Sequence, residues 1–105
     1  MSWKIIWSHF AERQIVEIHN YYIEETHPEI AQKMVFGIIQ APNILIQNPQ
    51  IGQIEFLLSD LPLEYRYILF RSYKIIYSLD WERKEIRIAD VFDTRQNPSK
   101  LKREK

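Results

Sequence analysis

Five cationic side chains accompany three consecutive β-type runs near the carboxyl end of the chain: Arg66, Arg71, Lys74, Arg87 and Arg95. A sheet core has no use for them, because an unpaired buried charge is costly. Like charges on neighbouring strands also repel. Such a set therefore calls for an anionic counterpart, phosphate first and an acidic protein segment second. Lys100, Lys102, Arg103 and Lys105 extend it into the tail. Phe70, Tyr73 and Phe92 lie among these cations and have rings suited to stacking on bases, although core packing is the simpler use for them. The plain alternative is a solvated strand face followed by a charged tail.

Other chemistries recede. His9, His19 and His27 show no metal-ligand spacing and no acids at useful offsets, so they read as surface or boundary residues. No Ser/His/Asp grouping is visible. Two glycines are too few for a phosphate-cradling loop, and the absence of cysteine removes thiol nucleophiles, disulfides and Cys-ligated zinc. The glutamates of the first half look like a solvated face, and nothing raises a two-carboxylate hydrolase. No metal and no cofactor is expected.

The chain's 105 residues suit one domain with one core, and 46% hydrophobic content is enough to fold it without a staple. No apolar run approaches the roughly 20 residues of a membrane span, and the start MSWKIIWSHF is too short for a signal-peptide core. A cytoplasmic protein with no membrane partner is the expectation. The formal net charge of zero argues against a free nucleic-acid binder. Its distribution is uneven, however. Residues 1–60 hold three cations against seven acids, and residues 61–105 hold eleven against seven. The positive half coincides with the predicted sheet and tail.

The elements that must position the cations follow from periodicity. Trp3, Ile5 and Trp7 alternate as in a half-buried strand. Ser8 is a suitable N-cap for a helix running to about Glu25, with Ala11, Ile15, Ile18 and Tyr22 as its apolar stripe. Thr26 and Glu29 have capping-box spacing, and Pro28 suits the first turn of a second helix. Ile30, Met34, Ile38 and Leu45 form that helix's stripe, and Gly37 beside it would admit close approach of the first helix. Pro42 predicts a kink or break. The short connection makes the pair an antiparallel hairpin.

Residues 49–63 read as a connecting loop with at most one short extended piece. The runs 65–70, 73–79 and 85–92 then read as an antiparallel meander. Alternation sorts them into two faces. Tyr65, Tyr67, Leu69, Ile75, Tyr77, Leu79, Ile86 and Ile88 form the bed for the hairpin. Arg66, Ile68, Phe70, Lys74, Ile76, Ser78, Arg87, Ala89 and Val91 form a cationic face. The fold class is α+β: a mainly antiparallel sheet, element order β-α-α-β-β-β, with an α-helical hairpin on one face. No repeat or linker separates two domains.

In order along the chain, Ala11, Ile18, Tyr22, Ala31, Leu45, Pro49 and Gly52 resemble the pattern A…I..Y…A…L…P..G of the RelE/ParE superfamily of type II toxin–antitoxin toxins. Tyr65-Arg66, Tyr73-Lys74-Ile75-Ile76-Tyr77 and the run from Val91 to Pro98 (VFDTRQNP) continue that resemblance in the same order and spacing. It implies one toxin domain over residues 1–98 and a basic tail over 99–105.

The resemblance also implies a cognate antitoxin as partner, an oligomer with it, and one of two targets. ParE-like members poison DNA gyrase; RelE-like members cleave mRNA on the ribosome with basic side chains in place of a metal. The long hairpin leans toward the ParE-like branch. A non-toxic protein-binding member of the same fold is the remaining alternative. Under the RelE-like reading Arg66, Lys74 and Arg95 match basic catalytic positions. Ile68, Asp93 and Leu101 depart from positions that are basic, histidine and tyrosine in relatives. Arg66, Arg71, Lys74, Arg87 and Arg95 form the expected antitoxin- or target-binding set.

Overall fold

A computed structural model describes residues 2–102. Strand β1 (Lys4–Trp7) leads into helix α1 (His9–Glu25) and helix α2 (Pro28–Gln40), followed by a 3₁₀ segment, Ala41–Ile46. Strands β2 (Gln53–Ile54), β3 (Arg66–Phe70), β4 (Tyr73–Asp80) and β5 (Glu85–Asp93) follow, with 3₁₀ turns at Phe56–Leu58 and Pro98–Lys102. The sheet runs β1-β5-β4-β3-β2, with β1 parallel to β5 and every other pair antiparallel. The expected α+β class and helical hairpin are present, and β2 is the short extended piece of the 49–63 loop. No helix among the described residues is long and apolar enough to cross a membrane.

The caps follow local chemistry, with one correction. The Ser8 hydroxyl accepts from the Ala11 N–H at 3.0 Å, as its position predicts. Thr26 and Glu29 do not form a capping box. The Thr26 hydroxyl donates back to the Tyr22 carbonyl at 2.6 Å, so Thr26 closes α1, and His27 caps α2 by accepting from the Glu29 N–H on Nδ1. Pro28 occupies the first turn, and Pro42 converts the end of the second helix to 3₁₀ geometry.

Two hydrophobic clusters lie on opposite faces of the sheet. The larger joins Ala11, Met34, Ile38 and Leu45 to Tyr73, Ile75, Tyr77, Ile86, Ile88 and Val91. Ile30 is not in it. The buried row of α2 is Ala31, Met34 and Ile38, and Ile30, at the edge of that row, is exposed. The smaller cluster joins Leu58, Ile76, Phe92 and Leu101, with Tyr65 and Tyr67 against it.

The predicted face assignment is half right. β4 and the first part of β5 present the expected residues to the helices, but β3 is reversed. The two-residue turn Arg71-Ser72 makes Phe70 and Tyr73 cross-strand neighbours, so Phe70, Ile68 and Arg66 share a face with Tyr73, Ile75 and Tyr77. Tyr67 and Leu69 therefore point to the other face. In β5, Ile76 pairs with Asp90 and Tyr77 with Ile88, leaving Ala89 as a bulge. One extra residue flips the side chains beyond it, which brings Val91 to the helix side. Gly37 admits the ring of Phe70 on β3, not α1: a Cβ there would meet that ring inside contact distance.

Candidate functional site

The structure does not bring Arg66, Lys74 and Arg87 onto one face. Arg66 lies on the helix side of the sheet. Its Nη1 donates to the carbonyls of Gln50 at 3.1 Å and Gly52 at 2.9 Å, and its Nε to Glu64 at 3.2 Å. Beside it the Tyr77 hydroxyl donates to the Pro49 carbonyl at 2.7 Å and accepts from the Gly52 N–H at 3.0 Å. Burial raises the Tyr77 phenol above its ordinary value. Pro49, Gly52, Arg66 and Tyr77 are thus one clamp that fixes the 49–52 loop to the sheet.

Lys74 lies on the opposite face. Its Nζ is 2.6 Å from the carboxylate of Glu55, which is 3% exposed, and 4.4 Å from the centroid of the Tyr67 ring. Glu55 also accepts from the Leu57 N–H at 3.2 Å. The ion pair pins the Phe56–Leu58 turn onto the sheet. Arg87 shares this face and contacts Asp80 at 3.0 Å and Glu85 at 2.9 Å. Arg71 lies over the Phe70 ring, with its own φ at 52° in the β3–β4 turn. In the tail, Lys102 meets Asp60 at 3.1 Å. Leu101 is fully buried in the smaller cluster, with no exposed surface to offer a substrate. Arg103 and Lys105 lie outside the described residues.

Arg95 opens onto a pocket. A cleft of about 370 Å³ lies between α1 and the ends of β4 and β5, with Gln14, Glu17, Tyr21, Tyr73, Asp93 and Arg95 on its walls. Arg95 forks onto Asp93, Nε to one carboxylate oxygen and Nη2 to the other, both at 2.9 Å. The Arg95 N–H adds a third bond to the same carboxylate at 2.9 Å. The hydrogen bond from the Arg95 side chain, against a smaller opposing effect of burial, holds the Asp93 carboxyl below the usual range.

Tyr73 donates to the Tyr22 hydroxyl at 3.4 Å, a long contact. Burial first, and then the Tyr22 hydroxyl, push the Tyr73 phenol up. Both groups thus keep their ordinary charge at neutral pH, Asp93 ionised and Tyr73 neutral.

Phosphate is a poor occupant of this cleft. Two carboxylates, Glu17 and Asp93, line it against one guanidinium, and that guanidinium is already bidentate with Asp93. The tyrosine faces and the amides of Gln14 and Gln96 suit a neutral polar side chain better. Sequence reasoning gave Tyr73 a ring suited to base stacking or core packing and Tyr22 a place in the apolar stripe of α1, but it did not pair them. They are 51 residues apart, and the toxin-like motif pattern to which both belong was the only signal they shared. Among the described residues no group of three or more His, Asp or Glu side chains is placed to hold a metal ion.

With this geometry established, comparison with known proteins gives three findings. The family described as "ParE toxin of type II toxin-antitoxin system, parDE" matches residues 5–98. No curated protein sequence matches the chain. A solved structure described as the "Chromosomal ParDE TA system from P. aeruginosa" superposes with a TM-score of 0.71 at 24% identity. The superposition covers 87% of this chain and 95% of that one. At that identity the likeness speaks for the fold.

Proposed function

This chain belongs to the ParE toxin family of type II toxin–antitoxin systems, and from that premise we propose that it arrests growth through DNA gyrase while a cognate antitoxin holds it inactive in an oligomeric complex. It acts in the cytoplasm and needs no cofactor. One observation carries the choice of gyrase over mRNA cleavage: among the described residues the basic positions of the RelE-like reading do not converge. A metal-free ribonuclease must aim several cations at one pentacoordinate phosphate. Here Arg66 and Lys74 lie on opposite faces of the sheet, and Arg95 is forked to Asp93.

The expected binding set divides on the same grounds. Arg66 and Lys74 are largely enclosed and hold the fold together. Arg71, Arg87 and Arg95 are exposed enough to exchange their present contacts for a partner's carboxylates. Such exchange is favoured when the partner's acids arrive in bidentate geometry.

Regulated expression with parallel readouts tests the reading. Induction is expected to stop growth and to produce gyrase-dependent double-strand breaks, with mRNA intact at early times and rescue by the product of the adjoining reading frame. Early mRNA cleavage on ribosomes would favour the RelE-like alternative. Unaffected growth would leave a non-toxic binding member of the fold.

A further inference from the structure

The 54–63 stretch supplies no side chain to the clamp or to the Tyr73–Arg95 cleft, yet several contacts fix it. Glu55 is buried and tied to Lys74 and to the Leu57 N–H. Leu58 is fully buried, and Asp60 is bound to Lys102. Successive backbone bonds, Leu58 to Glu55, Ser59 to Phe56 and Leu61 to Leu58, fix the turn. This fixed backbone displays large apolar side chains to solvent, with Phe56 77% and Leu63 55% exposed and Leu57 and Leu61 beside them. A groove of about 310 Å³ runs along it, and among the described residues the charged ones lining it are Glu55 and Glu64. Contiguous exposed apolar surface marks an interaction site, and a pre-ordered backbone lowers the entropic cost of docking.

We propose that this ledge is a seat for a protein segment with two or three large apolar side chains and a lysine or arginine placed to meet Glu64, and that the antitoxin supplies it. The assignment of partner rests on the function proposed above. Glu55 is spent on Lys74, whereas the Glu64 carboxylate is 63% exposed and touches Arg66 through one 3.2 Å contact, so it is the charge open to a partner cation. A second copy of this chain is disfavoured, because a two-fold contact brings the same patch against itself, and the charged lining of that patch among the described residues is acidic on both sides. Nucleic acid is disfavoured because, among the described residues, the charged side chains lining the groove are both acidic.

Calorimetric titration of the full chain with the purified product of the adjoining reading frame tests this. Phe56→Ser/Leu63→Ser and Glu64→Lys are each expected to raise Kd at least tenfold, with thermal midpoints near that of the unmodified chain because all three sites are exposed. Phe36→Ser, on the exposed side of α2, is expected to leave Kd unchanged. An unchanged Kd in the ledge variants overturns the inference while leaving the toxin reading intact. A ledge variant that only dissolves a dimer of the isolated chain also overturns it, in favour of self-association. Growth arrest by the unmodified chain, scored separately, tests the toxin reading. If that chain fails to bind the adjoining product, the inference falls whatever the growth assay shows.

Discussion

Lys74 shows how a residue that looks like a phosphate ligand in sequence can be committed to structure. Its ammonium neutralises a carboxylate that is 3% exposed, so removing it leaves Glu55 buried and unpaired. Breaking one side of such a pair costs about 3 kcal/mol, the low end of the range, since Lys74 itself keeps some exposure. For a chain of this size that is a fall in Tm of roughly 12–20 °C. Lys74→Ala is expected to show it in a thermal melt. Lys74→Met with Glu55→Gln is expected to recover most of the loss, because neither group is then a stranded charge. A melt of Lys74→Ala unchanged from the parent would mean that the pair is not structural.

Asp93 gives a second test at this scale. Its folded pKa lies below its unfolded one. Its contribution is therefore complete above the ordinary aspartate value of about 3.9 and is lost as pH falls through the depressed folded value. Urea unfolding of Asp93→Asn should lie below the parent at pH 6, and the gap should close progressively below about pH 4. A gap independent of pH would assign the loss to something other than ionisation.

Among the elements, periodicity carried the helices and the three long strands well, because each has a one-sided apolar pattern. It could not phase β3 against β4. Alternation divides each strand into two faces but does not say which faces of neighbouring strands coincide, and the two-residue turn decides that. Nor could it see the Ala89 bulge, whose sequence signature is nil. The two glycines are also separable only in three dimensions. At Gly52 an added Cβ would meet the buried Tyr77 hydroxyl inside contact distance and the Tyr67 carbonyl oxygen at 2.8 Å. At Gly37 the nearest atoms are outer ring atoms of Phe70, the far end of a partly exposed side chain. Gly52→Ala is therefore expected to cost about 2–3 kcal/mol by overpacking and to free the 49–52 loop. Gly37→Ala should cost less. Chemical denaturation of the two variants side by side checks the order, and a larger loss at Gly37 would contradict the clamp.

For the whole molecule, the surplus of cations after residue 60 suggested a positive face, yet a sum over sequence cannot register pairing. Glu55 and Asp60, from the acidic half, neutralise Lys74 and Lys102 of the basic half, and Glu64, Asp80, Glu85 and Asp93 answer Arg66, Arg87 and Arg95 within it. The Glu55–Lys74 and Asp60–Lys102 pairs also join distant parts of the chain. The sheet carries a large core on its helical side and a small one on the other, and the small one is closed by the Pro98–Lys102 turn through Leu101. The 98–102 stretch is thus packed against the domain, and it supports the apolar ledge from below through Leu58.

Leu101→Ala should cost about 3 kcal/mol, a typical value for truncating a fully buried leucine. Because Leu58 loses its neighbour, the effect should be concentrated on the ledge. Amide exchange of residues 58–61 is expected to quicken in this variant while that of α1 and α2 changes only through the global loss. Uniform acceleration throughout would mean that the small core has no independence from the large one, and then the ledge would not be separately supported.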